Sequence, residues 1–204
     1  MKIALFGATG GTGRQIIAQA TAAGHEIQAL VRDPARLPHI NGVTVVKGDV
    51  LDATAVDDTV RGVDAVIISL GNTAGNPDYV VSRGTAVILD AMQRAGLRRV
   101  IAITSIGVGD SKDQVPLFFK ALITTALRKP MEDKEQQETA IMASGLDWII
   151  VRPGGLTDGP ATGHYRAGVD KAIRAGQVSR ADVAGFVLKQ LTDDTYLRQA
   201  PAIT

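Results

Sequence analysis

The chain opens with the apolar run Ile3-Ala4-Leu5-Phe6 and passes at once into Gly7-Ala8-Thr9-Gly10-Gly11-Thr12-Gly13. A short apolar run bounded by glycines reads as a buried strand that ends in a tight turn. Glycine reaches backbone conformations closed to other residues and lets another group approach the chain closely. A helix that starts in such a turn presents unpaired N–H groups and the positive end of its dipole, a combination suited to phosphate. The glycines at 7, 10 and 13 are spaced by three and three, whereas the commonest dinucleotide-binding pattern is spaced by two and three. On its own a glycine pattern is weak evidence. Its position after a first strand, with alternating elements behind it, is what constrains the fold.

Those elements follow in order. Lys2–Phe6 predicts a strand, Thr12–Ala23 a helix closed by Gly24, and Glu26–Val31 a second strand. Asp33-Pro34 reads as a helix cap with proline at the first helical position. Val43–Lys47 is strand three, and Asp52 caps a helix reaching about Val60. Ala65–Leu70 is strand four, Tyr79–Ala95 a helix closed by Gly96, and Arg99–Thr104 strand five. Ser105 to Val115 reads as a loop. Two helical segments separated by Pro130 run to Gly145, and Trp148–Val151 is strand six. Arg152 to Gly163, with four glycines and two prolines, predicts an irregular loop. Ser179-Arg180-Ala181-Asp182 has capping-box spacing before a helix to about Leu191, and Tyr196–Thr204 adds a last strand. The strands are continuous apolar runs, which suits strands covered on both faces. The fold class expected is therefore α/β, a doubly wound parallel sheet with the NAD(P)-binding Rossmann arrangement, in one domain spanning 1–204.

Composition removes several alternatives. A chain of 204 residues, 45% apolar, can bury one sizeable core. A net charge of +1 offers no electrostatic reason to expect nucleic acid or a membrane surface as partner. With no cysteine there is no disulfide, thiolate metal site or cysteine nucleophile. His25, His39 and His164 are not grouped with carboxylates at ligand-like spacing, so no metal is expected. No apolar run approaches the about 18 residues of a membrane span, and Met1–Phe6 is too short for a leader. The chain is expected in the cytoplasm, acting on a small molecule, and a monomer is expected although the sequence says little about oligomeric state.

In a doubly wound sheet the ligand lies across the carboxyl ends of the strands. The cofactor-binding candidates are therefore Gly7, Thr9, Gly10, Gly11, Thr12, Gly13, Arg32, Arg36, Asp49, Val50, Leu70, Gly71, Thr104, Pro153 and Gly154. Asp49 and the Val50 backbone are expected at the adenine. The end of strand two selects between the two nicotinamide cofactors. Asp33 has the spacing of the acid that binds a ribose 2′-hydroxyl, yet it precedes Pro34 and reads as a cap. Arg32 and Arg36 match a 2′-phosphate with bidentate hydrogen bonds, so NADPH (NADP+) is the cofactor expected. The substrate pocket is expected from loops 71–78, 105–118 and 152–165, with Asn72, Ser105, Gly155, Leu156 and His164 lining it. Ser105 is the catalytic candidate. Lys134, between Asp133 and Glu135, reads as part of a solvated helix face, and Trp148 as core.

An ordinary short-chain dehydrogenase pairs such a serine with Tyr-x-x-x-Lys. Here Tyr79, Tyr165 and Tyr196 are followed four residues later by Arg83, Val169 and Ala200. The proton donor that a simple ketone needs is missing. A conjugated acceptor, a flavin or a linear tetrapyrrole, spreads the incoming charge over its own ring nitrogens and needs a donor less.

Lys2–Gly13, Leu30-Val31-Arg32-Asp33, Gly48-Asp49-Val50, Leu70-Gly71, Thr104-Ser105, Ser144-Gly145-Leu146 and Thr162-Gly163-x-Tyr resemble the atypical short-chain dehydrogenases. Within them the chain is similar to the NADPH-dependent flavin reductase, or biliverdin-IXβ reductase, family, over essentially its whole length. The resemblance implies a single Rossmann domain, NADPH, and hydride transfer to FMN, FAD, riboflavin or biliverdin-type tetrapyrroles. It implies that Arg32 holds the 2′-phosphate, that Thr9, Gly10, Thr12 and Gly13 hold the pyrophosphate, and that Ser105 lies beside nicotinamide and substrate. The mammalian member has a histidine in the loop after strand six, where this chain has Gly155, which implies a more open pocket. A nucleotide-binding sensor or assembly factor without turnover is the alternative reading. A sugar-nucleotide epimerase is disfavoured by the absent tyrosine–lysine pair.

Overall fold

Strand β1 (Lys2–Phe6) shows how the sequence builds this sheet. Ile3 and Leu5 pack into one apolar layer while Ala4 and Phe6 pack into another. Because side chains alternate across a strand, covering both faces requires an unbroken apolar run. The computed structural model, which describes residues 1–73, 75–116, 125 and 127–204, places β1 third from one edge of an eight-stranded sheet. Its companions are β2 (Glu26–Val31), β3 (Val43–Lys47), β4 (Ala65–Ile68), β5 (Arg99–Ile103), β6 (Asp147–Pro153), β8 (Ala167–Gly168) and β10 (Ala202–Ile203). The order is β3-β2-β1-β4-β5-β6-β10-β8, parallel throughout except for the last pairing. The chain reverses direction across the sheet beside β1, which makes the carboxyl end of β1 the switch point where ligands bind. A separate two-stranded pair joins β7 (Gly155–Thr157) to β9 (Gln177–Ser179).

Helices α1 (Gly11–Ala22) and α5 (Arg180–Lys189) cover one face, meeting Ile3, Leu5, Ile27 and Ile149. Helices α2 (Ala53–Val60), α3 (Val80–Arg94) and α4 (Arg128–Ala143) cover the other, over Phe6, Val66, Val100 and Trp148. The expected punctuation is present. Asp52 accepts from the N–H groups of Thr54 and Ala55, and Asp33 accepts from Ala35 ahead of a 3₁₀ turn at Pro34–Arg36. Gly24 and Gly96 leave their helices with φ of +79° and +69°.

Elsewhere the structure departs from the reading of the sequence. Strand β3 is an edge strand with only intermediate and exposed residues, so it is not covered on both faces. Pro130 does not separate two helices; it sits in the first turn of α4, where its missing N–H has no partner to lose. The helical segment expected ahead of it lies largely outside the described residues, as do Ala74 of loop 71–78 and residues 117–118 of loop 105–118. Within the expected loop Ser105–Val115, Gly109–Gln114 forms a 3₁₀ helix. Strand β6 runs on through Arg152 and Pro153, and β7 follows, where an irregular loop was expected. The extension survives because β10 pairs with Arg152 and Pro153, and because the Arg152 charge is neutralised. The expected capping box is half formed. Ser179 accepts from the Asp182 N–H, but the Asp182 carboxylate accepts from the Ser179 hydroxyl and from the Thr162 and Gly163 N–H groups, not from the Ser179 backbone N–H.

Candidate functional site: a cleft at the switch point

The turn after β1 is packed to its limit. Gly7 has φ of +91°, and a Cβ there would stand 2.2 Å from the Ser69 carbonyl oxygen. A Cβ on Gly13 would stand 2.2 Å from the Gly7 carbonyl oxygen, so α1 lies directly against the turn. Gly10 donates to the Gly7 carbonyl at 3.1 Å and caps α1 through its backbone alone. With no side-chain cap and no acidic residue in the first turn, the helix keeps its N–H groups and its dipole for an outside anion.

From this turn a cleft of about 640 Å³ runs across the carboxyl ends of β1 to β6, a volume suited to a cofactor-sized molecule. At one end stand Arg32 and Arg36, after β2. Arg32 donates to the Asn76 side-chain oxygen at 2.7 Å, and Asn76 approaches the Gly71 carbonyl, so loop 71–78 leans on the arginine. Asp33 is committed to its cap and does not border the cleft. Asp49 borders it, with one carboxylate oxygen accepting from the Leu51 N–H at 2.9 Å. Val50 lines it too, its side chain held against α3, where Gly84 leaves room.

At the other end Thr104, Ser105, Pro153, Gly154, Leu156 and Lys134 meet. The Ser105 hydroxyl donates to the Ile106 carbonyl at 3.0 Å. Below them lies a buried ionic network. Arg152 donates to both carboxylate oxygens of Glu138, at 3.0 and 2.6 Å, and to Asp110 at 2.6 Å. Thr104 donates to Glu138 at 2.7 Å. The Arg152 and Glu138 side chains are 4% and 3% exposed, so each charge depends on the other. Burial opposes the Arg152 charge, but these hydrogen bonds outweigh it and hold its pKa above the ordinary value.

Lys134 corrects the sequence reading, which put it on a solvated face. It borders the cleft one helical turn before Glu138. The acidic residues around it are engaged elsewhere. Asp133 accepts from the Val81 and Ser82 N–H groups at the start of α3, Glu135 pairs with Lys112, and Glu138 serves Arg152. Burial pushes the Lys134 pKa down to about 8, partly offset by Glu138 and Asp133. Nothing in the sequence separates Lys134 from its charged neighbours; only the packing of α4 does.

The cleft gathers most of the candidates, with four exceptions. Gly13 lies beneath the turn and supports it from behind. Asn72 faces a second cavity, beside Tyr79 and Lys129. Gly155 is drawn into β7 by its hydrogen bond to Gly176 and lies off the cleft wall. His164 is exposed and outside the cleft, because Asp182 anchors Thr162 and Gly163 while Tyr165 turns to pack edge-on against Phe186. Thr73 and Asn76, within the expected loop 71–78, also border the cleft, as does Arg180, which sequence reasoning missed. Among the described residues no group of histidine and carboxylate side chains could hold a metal, and no helix is long and apolar enough to cross a membrane.

A doubly wound sheet with a glycine turn and an uncapped helix start at its switch point defines a dinucleotide-binding protein. The chain belongs to the NAD(P)H-binding family, whose model matches residues 7–194. It is similar in structure to ChuY, an anaerobillin reductase from Escherichia coli O157:H7, with 30% identity and a TM-score of 0.86 over 100% of this chain and 96% of that one. In sequence it is 29% identical to the uncharacterized protein YwnB of Bacillus subtilis, over 94% of this chain and 92% of that protein. It is also 29% identical to the (4-alkanoyl-5-oxo-2,5-dihydrofuran-3-yl)methyl phosphate reductase of Streptomyces griseus, over 99% of this chain and 67% of that protein.

Proposed function

We propose that this chain is an NADPH-dependent reductase acting on a planar conjugated acceptor, a flavin or a linear tetrapyrrole of the biliverdin kind. One observation carries the reading: a single cleft joins the glycine turn and Arg32 at one end to Ser105 and Lys134 at the other. The turn and the α1 N–H groups fit a pyrophosphate. Arg32 and Arg36 suit the 2′-phosphate that distinguishes NADPH. When bound, the cofactor supplies a hydride. At the acceptor end Ser105 offers a hydroxyl close to where nicotinamide and substrate would meet. Lys134, with its pKa near 8, carries an ammonium that can give up a proton at neutral pH. The tyrosines take no part. Tyr79 donates to Glu132 beside the second cavity, and Tyr165 and Tyr196 pack around Phe186. That favours an acceptor able to delocalise charge over a simple ketone. The likeness to two reductases supports reduction chemistry.

The test is to mix the protein with NADPH and either FMN or biliverdin and follow the loss of NADPH absorbance. Turnover with one of them is expected. Tight NADPH binding without turnover on any conjugated acceptor would overturn the reading in favour of a nucleotide sensor, which the absent tyrosine–lysine pair also suits.

A further inference from the structure

Gly11 differs from its neighbours in the turn. A side chain on Gly7 or Gly13 would strike backbone, but one on Gly11 would first meet the Arg180 side chain: its Cβ would stand 2.7 Å from the Arg180 Cδ and 2.8 Å from Nε. Gly11 is also free of the positive φ that marks Gly7. A methyl group at position 11 would have to push aside the Arg180 side chain, which lies across the start of α1.

Arg180 comes from far along the chain, at the first position of α5, where Ser179 caps the helix. Arg180 borders the cleft, and its guanidinium donates to Asp158 at 2.7 Å. Asp158 is 87% exposed and Arg180 27%, and an ion pair so open to water is weak. Two other arginines at this end are engaged differently. Arg14 donates to the carbonyls of Thr9 and Arg36, and Arg32 donates to Asn76. Among the described residues, Arg180 combines a place over the turn with a solvent-exposed partner that a stronger anion could displace. A phosphate held at a helix start takes the planar guanidinium fork in charge-assisted bonds that an exposed carboxylate cannot match.

We propose that Arg180 is a clamp on the dinucleotide pyrophosphate, and that Asp158 competes with the phosphate for it. The inference rests on the NAD(P)H-binding reading and adds a residue that sets affinity. Asp158 follows β7, in the loop that Asp182 anchors at Thr162 and Gly163. Loading of the cofactor therefore unhooks that loop from α5 at one end while Asp182 holds the other.

The experiment is calorimetric titration of the whole chain with two probes: NADP+, and adenosine 2′-monophosphate, which has the 2′-phosphate but no pyrophosphate. Arg180→Ala should weaken NADP+ by about 10- to 100-fold and leave the adenosine 2′-monophosphate affinity within about twofold. Asp158→Asn, at an exposed site that leaves the fold intact, should tighten NADP+ several-fold. Unchanged NADP+ affinity in Arg180→Ala, or an equal loss for both probes, overturns the clamp. Should Arg180→Ala fail to fold, an Asp158→Asn protein with NADP+ affinity equal to or weaker than wild type overturns it instead. Failure of the wild-type chain to bind NADP+ at all would remove the cofactor reading itself, a result distinct from either.

Discussion

The two ends of the cleft are built by different means. The phosphate end is built around backbone, a glycine turn and the free N–H groups of α1, with arginine side chains at its margin. The acceptor end is made of side chains brought together from β5, α4 and β6 and held by the Arg152–Glu138 pair. The first arrangement tolerates few alternatives, because a Cβ at Gly7 or Gly13 would strike backbone. The second depends on one buried charge neutralising another. Mutations should therefore act through cofactor binding at one end and through stability and proton supply at the other.

The largest effect should come from Glu138→Ala, which leaves Arg152 charged and buried with only the exposed Asp110 as partner. A loss of about 3–5 kcal/mol is expected, read from chemical denaturation. A loss below about 1 kcal/mol would show that the network does not hold the acceptor end together. Next is Arg32→Ala, which should weaken NADPH by about 100-fold and NADH by only a few-fold, measured by fluorescence titration. Equal losses would mean that Arg32 does not meet the 2′-phosphate.

Lys134→Met should lower turnover at neutral pH by about tenfold, and it should also change the pH profile. The working form is the protonated one, and its pKa is near 8 in the free protein. The wild-type rate should be flat below that value and fall as pH rises through it, with the limb moved upward once the anionic cofactor is bound. The Met variant should lose this alkaline limb, and a limb that persists would assign the proton to another group. The smallest effect belongs to Asp110→Ala, about 0–1 kcal/mol, since this carboxylate is 65% exposed. Its hydrogen bond from Arg152 holds the Asp110 pKa below the ordinary value, so the contribution persists at neutral pH and fades on acidification. Denaturation at neutral and acidic pH should show the variant and wild type converging as pH falls.

The same division explains what the sequence discloses. The sheet is legible because parallel strands need apolar residues on both faces, and Ile3–Phe6 states that need in four letters. The turn is legible because only glycine fits at 7 and 13. Caps such as Asp52 act within a few residues and are equally visible. Contacts across the fold are not. Lys134 looks like one charge among several until α4 is docked and its acidic neighbours are seen to be engaged. Arg180 looks like the interior of a capping motif until α5 packs beside α1. His164 and Gly155 look like pocket residues because they flank a glycine-rich stretch, yet Asp182 and Gly176 draw that stretch away. Residues whose role is fixed by distant partners carry no local mark.

The contact between Gly13 and the Gly7 carbonyl has a kinetic consequence. With no slack between α1 and β1, the phosphate cradle exists before any ligand arrives, and no ordering step has to precede capture. Variants around the cradle should then share nearly the same association rate and differ in how long the nucleotide stays. Residence time, more than encounter, is the quantity this turn has been shaped to control.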